Sequence, residues 1–117
     1  MITKEIVLSC SDIPNISIGM KGTFNTRKIV FNYSLLKKRF GDGEFSLLFL
    51  KPGEPDTLPE EDITVPVTIS GNKAIWTITE TDTATAGSGL AECIYKGNKF
   101  CFKSNVFLVI VKRDIDD

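Results

Sequence analysis

The chain has 117 residues, 42% of them hydrophobic and 25% charged, with 14 Lys plus Arg against 15 Asp plus Glu. That make-up suits one globular domain spanning 1–117, large enough to bury a core without disulfide or metal staples and too apolar for a disordered segment. The basic excess that phosphate neutralisation demands is missing and no apolar run is long enough to cross a bilayer, which argues against nucleic acid and membrane as partners.

The N-terminal run Met1-Ile2-Thr3-Lys4-Glu5 places an acidic residue where a secretory signal would begin its apolar core, so synthesis in a cytoplasm is expected. Alternation of apolar and polar residues then recurs along the chain, while helical periodicity is almost absent. From Arg27 to Leu35, one face carries Ile29, Phe31, Tyr33 and Leu35. Leu35–Phe40 reads at most as a helical turn cut short by Gly41, and it holds the basic cluster Lys37-Lys38-Arg39, suited to steering an acidic partner. Glu44–Leu50 groups Phe45, Leu47 and Phe49 on one side of a strand, and a Pro- and acid-rich loop runs from Lys51 to Asp62. Ile63–Ser70 sets Ile63, Val65, Val67 and Ile69 inward. Pro66 cannot donate to a ladder, so this run is expected at a sheet edge.

Lys73–Thr79 directs Ala74, Trp76 and Ile78 to the core, which makes Trp76 a core residue rather than a sugar platform. Thr81–Ala86 is expected to form one helical turn capped by Thr81 or Asp82. A two-residue Gly97-Asn98 turn would close a hairpin pairing Tyr95 with Phe100, Cys93 with Phe102 and Glu92 with Lys103. That register sends Cys93 and Cys101 to opposite faces and forbids a bridge between them. The last strand, Val106–Val111, is apolar on both faces. Val106, Leu108 and Ile110 therefore form a surplus apolar face, covered by a loop or offered to another subunit. About seven short strands with regular turn signals point to an all-β sandwich, with a small barrel as the alternative.

Signals for catalysis are sparse. There is no histidine, so a Ser or Cys nucleophile lacks its usual base. The three cysteines, Cys10, Cys93 and Cys101, are odd in number and contain no CxxC pair, which disfavours a disulfide framework or a four-ligand zinc site. The carboxylates between Glu54 and Asp62 do not follow a calcium-loop spacing. No catalytic residue, metal ion or cofactor is assigned, and the chain is read as a non-enzyme.

The run Trp76-Thr77-Ile78-Thr79-Glu80-Thr81-Asp82-Thr83-Ala84-Thr85-Ala86-Gly87-Ser88-Gly89-Leu90-Ala91-Glu92, followed by Lys103-Ser104-Asn105-Val106-Phe107, resembles a pattern of phage and prophage tail and baseplate proteins of Gram-positive bacteria. Lys51-Pro52-Gly53 and Asp62-Ile63-Thr64 are similar to the earlier half of that pattern. The pattern is similar to the N-terminal domain of phage baseplate upper proteins. It implies an immunoglobulin-like antiparallel β-sandwich and a virion structural role in the tail or baseplate, for a protein made in the bacterial host cytoplasm. An antibody-type domain is excluded, because Ala91 occupies the corner-tyrosine position and Trp76 precedes the turn instead of lying on the third strand.

These readings converge on an adaptor that works through protein–protein assembly with other tail proteins or copies of itself. The candidate interface residues are Val106, Leu108 and Ile110 on the last strand, with Pro66 and Thr68 at the sheet edge. The alternative is a carbohydrate-binding module for host cell-wall glycan, with Tyr33, Phe40 and Tyr95 as candidate contacts.

Overall fold

Side chains that meet the core at every second position organise the described residues of this chain into ten strands in two facing sheets. The computed structural model describes residues 1–9 and 11–113. One sheet has four strands in the order β1 (Ile2–Val7), β3 (Arg27–Asn32), β7 (Lys73–Thr77) and β6 (Thr68–Ser70). The other runs β2 (Ile16–Met20), β10 (Phe107–Lys112), β8 (Gly87–Lys96), β4 (Glu44–Leu50) and β5 (Thr64–Val65), while β9 (Cys101–Lys103) pairs with the end of β8. Among the described residues two short helices interrupt the strands, α1 (Ser34–Phe40) and α2 (Glu60–Ile63).

Aromatic rings join the sheets across one core. Phe31 of the four-stranded sheet lies 5.6 Å from Phe45 and 6.4 Å from Phe107 of the other, and Trp76 lies 5.3 Å from Phe49. Ala74, Trp76 and Ile78 are all buried, as their alternation required. The fold is an all-β sandwich with the immunoglobulin-type strand order, but it is not purely antiparallel. β1 runs parallel to β3, and β2 runs parallel to β10. The N-terminal segment divides its strands between the sheets, and the side chain of Asn105 pins the crossover. Its Oδ1 accepts from the Ile13 N–H at 2.7 Å, and its Nδ2 donates to the Ile13 carbonyl at 3.0 Å.

Four expectations are corrected. The strand from Arg27 ends at Asn32, and α1 takes up Ser34–Phe40, so Leu35 lies exposed on a helix. Asn32 starts that helix by accepting the Ser34 N–H with its side chain at 3.0 Å. Ile63–Ser70 is split: Ile63 ends α2, β5 joins one sheet and β6 the other. The switch leaves Ile69 on the outside, 53% exposed. Thr81–Ala86 forms hydrogen-bonded turns instead of a helix, because the Asp82 carboxylate reaches back to the Thr79 N–H at 2.9 Å.

The hairpin register is the fourth. Lys96 faces Cys101, Tyr95 faces Phe102 and Ile94 faces Lys103, so the loop has four residues and the Glu92–Lys103 pair is not made. Neither Gly97 nor Asn98 has positive φ, which a two-residue type I′ turn needs at both positions. Gly97 serves packing instead, since an added Cβ would strike the Phe100 ring and lie 2.8 Å from the Asp42 carbonyl oxygen. Face parity survives the shift: Cys93 is buried and Cys101 exposed, and both are free thiols.

Gly89 has a similar purpose. A Cβ there would sit 2.6 Å from the Leu50 carbonyl oxygen and 2.7 Å from the Phe49 ring. Gly89→Ala is therefore expected to destabilise the domain by about 1–3 kcal/mol through overpacking between β4 and β8. Urea unfolding, with midpoint and slope fitted separately, measures that loss.

Candidate functional site

The core takes Phe107, Val109 and Val111 from β10, Ala91, Cys93 and Tyr95 from β8, and Leu47 and Phe49 from β4. The intervening residues of these three strands point the other way. On that outer face Leu50 pairs with Leu90, and Leu90 pairs with Leu108, so three leucines form one row across β4, β8 and β10. Leu48 flanks the row, Val106 stands 57% exposed at its margin, and Leu90 is 38% exposed. Ile63 from α2 leans over one side, leaving a shallow cavity of about 190 Å³ whose one charged lining residue is Glu92. The two-sided apolar character of the last strand thus has a specific outlet. Val106 and Leu108 join leucines from two neighbouring strands, while Ile110 faces Ser88 and Ser17 farther along.

Pro66 and Thr68 do not belong to this face. Pro66 lies in the passage between the sheets, and Thr68 is on β6 of the four-stranded sheet. Both are exposed, so the candidate interface residues fall on two separate surfaces. The leucines of β4 and β8 lay unnoticed in the sequence, where Leu48, Leu50 and Leu90 look like ordinary strand residues. Only the pairing register brings them beside Leu108.

The aromatic residues assigned to glycan contact are placed differently from that expectation. Tyr33 is 7% exposed and Tyr95 only 1%, with their rings 5.2 Å apart inside the sandwich. The Tyr95 hydroxyl donates to the Gly41 carbonyl at 2.6 Å. Burial, then the nearby Asp42 carboxylate, raise its pKa above the ordinary phenol value. Neither ring is free to stack on a sugar. Phe40 reaches the surface, but its ring stacks on Phe100 at 5.4 Å. These residues tie α1 to the hairpin.

No family of known proteins matches this chain, and no curated protein does either. The residues behind the phage-tail resemblance have local structural tasks. Trp76 Nε1 donates to Asp82 Oδ2 at 3.1 Å, Gly87 and Gly89 lie against Pro52, and Ser104 Oγ accepts the Cys93 N–H at 2.9 Å. The motif therefore describes how one end of the sandwich is closed.

Nucleophile chemistry finds little here. Burial pushes the Cys93 thiol up to about 12 from an ordinary value near 9.0. Among the described residues, no group of three or more His, Cys, Asp or Glu side chains converges to hold a metal ion. The Cys93 shift has a measurable consequence. Between these two values the unfolded chain has released the proton and the folded one retains it. The unfolded state then binds fewer protons, so stability falls as pH rises. Stability is full below the lower value and declines by about 1.4 kcal/mol per pH unit above it. Urea midpoints measured across this alkaline range are expected to fall less steeply in Cys93→Ala than in the parent protein.

Proposed function

We propose that this protein is a structural component of a bacteriophage or prophage virion, an adaptor domain of the tail or baseplate that acts by being bound into an assembly. The observation that carries the reading is the apolar row Leu50–Leu90–Leu108 with Val106 on the outer face of the six-stranded sheet. A sandwich strand needs one apolar face for its core. A second one on three adjacent strands is the kind of patch that protein partners cover. The resemblance of residues 76–107 to phage tail domains supplies the kind of assembly. Other tail or baseplate proteins and further copies of this chain are its partners, the virion is its place, and no catalytic step is part of the reading.

Sedimentation velocity of the purified protein, alone and after co-expression with the proteins encoded beside its gene, tests this. Self-association, or co-sedimentation with one of those tail proteins, is the expected result. A strict monomer that binds none of them overturns the proposal.

A further inference from the structure

A strand at the edge of a sheet offers a row of unpaired N–H and C=O groups to any further strand, and folds usually blunt such edges. Among the described residues, β2, β5, β6 and β9 are blunted. β5 has two residues and runs into Pro66, and β6 and β9 have three each. β2 carries Gly19 at φ 119° beside the register shift in β10. β1 is different. It has six residues, no proline, no positive φ and an unbroken register with β3.

The direction of its main-chain groups follows from that register. The Ile2 N–H donates to the Thr26 carbonyl and the Leu8 N–H to the Asn32 carbonyl, both at 2.9 Å. Alternate residues of a strand turn the same way, so Ile2, Lys4 and Ile6 face β3. The N–H and C=O groups of Thr3, Glu5 and Val7 turn outward and have no partner among the described residues. Side chains along this edge are also open: Ile2 is 58% and Val7 50% exposed. Glu5 has its charge met by Lys73 at 2.9 Å. Lys4, on the same side of the sheet as Ile6 and Ile29, is exposed and makes no ion pair among the described residues.

We propose that β1 takes up an extended segment of a partner protein as a fifth strand of its sheet, with a carboxylate of that segment opposite Lys4. This surface is separate from the leucine row, which lies on the other sheet. Donors and acceptors that repeat about every 7 Å along a straight edge match an extended polypeptide backbone, which supplies the complementary row at the same spacing. A second copy of this chain fits poorly. Antiparallel pairing sets residues of the same hydrogen-bonding type opposite each other. The two self-pairing registers that use most of β1 therefore bring Glu5 against Glu5 or Lys4 against Lys4, and like charges directly opposite destabilise a pair. A foreign strand with an acidic residue at that position meets Lys4 instead, and apolar residues two positions to either side cover Ile2 and Ile6.

The probe is a capped heptapeptide, Thr-Val-Thr-Glu-Thr-Val-Thr, whose symmetry puts Glu opposite Lys4 and Val opposite Ile2 and Ile6 in either strand direction. The full chain is titrated with it while amide chemical shifts and amide exchange are followed. Saturable shifts confined to residues 1–8 and neighbouring β3 are expected, with the Thr3, Glu5 and Val7 amides gaining protection. Thr3→Pro removes an outward N–H and no bond to β3, and it should weaken binding about tenfold, the scale of one lost hydrogen bond. Lys4→Glu should reverse the preference, so that the same peptide with Lys in place of Glu binds about fivefold better than the original. Thermal unfolding checks that both variants fold, and the charge swap tests the proposal whether or not β1 tolerates the proline. No saturable binding overturns the proposal, as does equal affinity for the Glu and Lys peptides. Shifts that map to β6 or to the leucine row overturn it too. Protection of the Thr3, Glu5 and Val7 amides that rises with the concentration of the protein alone would make a second copy the occupant and overturn it likewise. None of these outcomes bears on whether the outer face assembles.

Discussion

Replacing Asp82 by alanine is expected to lower the unfolding free energy by about 2–4 kcal/mol, a large part of the margin of a domain this size. The carboxylate is 6% exposed and accepts from Trp76 Nε1, the Thr79 N–H and Thr79 Oγ1. Thr79 is at the surface, where water replaces what it loses. The indole is 1% exposed, so its N–H would be left buried with no acceptor. That orphaned donor, rather than the loss of a surface turn, dominates the cost. Asp82→Asn keeps an acceptor oxygen for the indole and should lose about half as much, since only the charge assistance goes. Urea midpoints separate the three proteins, and an unchanged slope shows that the folded states remain equally compact. A loss for Asp82→Ala within about 0.5 kcal/mol, the range of an ordinary surface substitution, would show that the indole finds another partner.

The same turn closes one end of the sandwich. Thr83 is fully buried, its hydroxyl donates to the Thr23 carbonyl, and its own carbonyl accepts the Gly22 N–H at 2.9 Å. The turn between β7 and β8 is thereby tied to the loop between β2 and β3. Disturbing Asp82 reaches both sheets, which is why one exposed-looking acidic residue carries so much.

How much of this was legible in the sequence depends on how local each cause is. Strands β4 and β7 were readable to within two residues, because their alternation faces one core and nothing interrupts it. Trp76 was readable as core for the same reason. β1 and β2 were not, since β1 lies at a sheet edge where only Ile6 is buried, and Gly19 with positive φ breaks the pattern of β2. The edge character of Ile63–Ser70 followed from Pro66. The change of sheet at that residue did not, because alternation records which side a residue faces and not which sheet it joins. In the hairpin, Gly97-Asn98 promised a tight turn, but the Phe100 ring uses the space beside Gly97 and moves the pairing by two residues. Of the candidate interface, β10 was visible as a strand apolar on both sides. Its partners Leu48, Leu50 and Leu90 were invisible, because the row exists only in the register of three strands.

That row gives the second large prediction. Leu90→Asp combined with Leu108→Asp puts two carboxylates side by side in the middle of the outer face. Both positions lie outside the core, so the monomer should lose no more than about 1 kcal/mol, part of it from the low strand propensity of aspartate. In an assembly that buries the face, each carboxylate would be desolvated without a partner, at a cost of about 3–5 kcal/mol. The dissociation constant, by sedimentation equilibrium or by titration against a tail protein that binds, should therefore rise at least about 100-fold. Ile69→Asp is the informative comparison. Ile69 is 53% exposed on β6, beside Thr68 and on the other sheet. It should leave assembly unchanged if the leucine row is the contact. The opposite outcome, with Ile69→Asp dissociating the assembly and the double variant not, would move the interface to the sheet edge near Pro66 and Thr68. The two candidate surfaces face different ways, so the pair of variants assigns the contact without knowing the partner in advance.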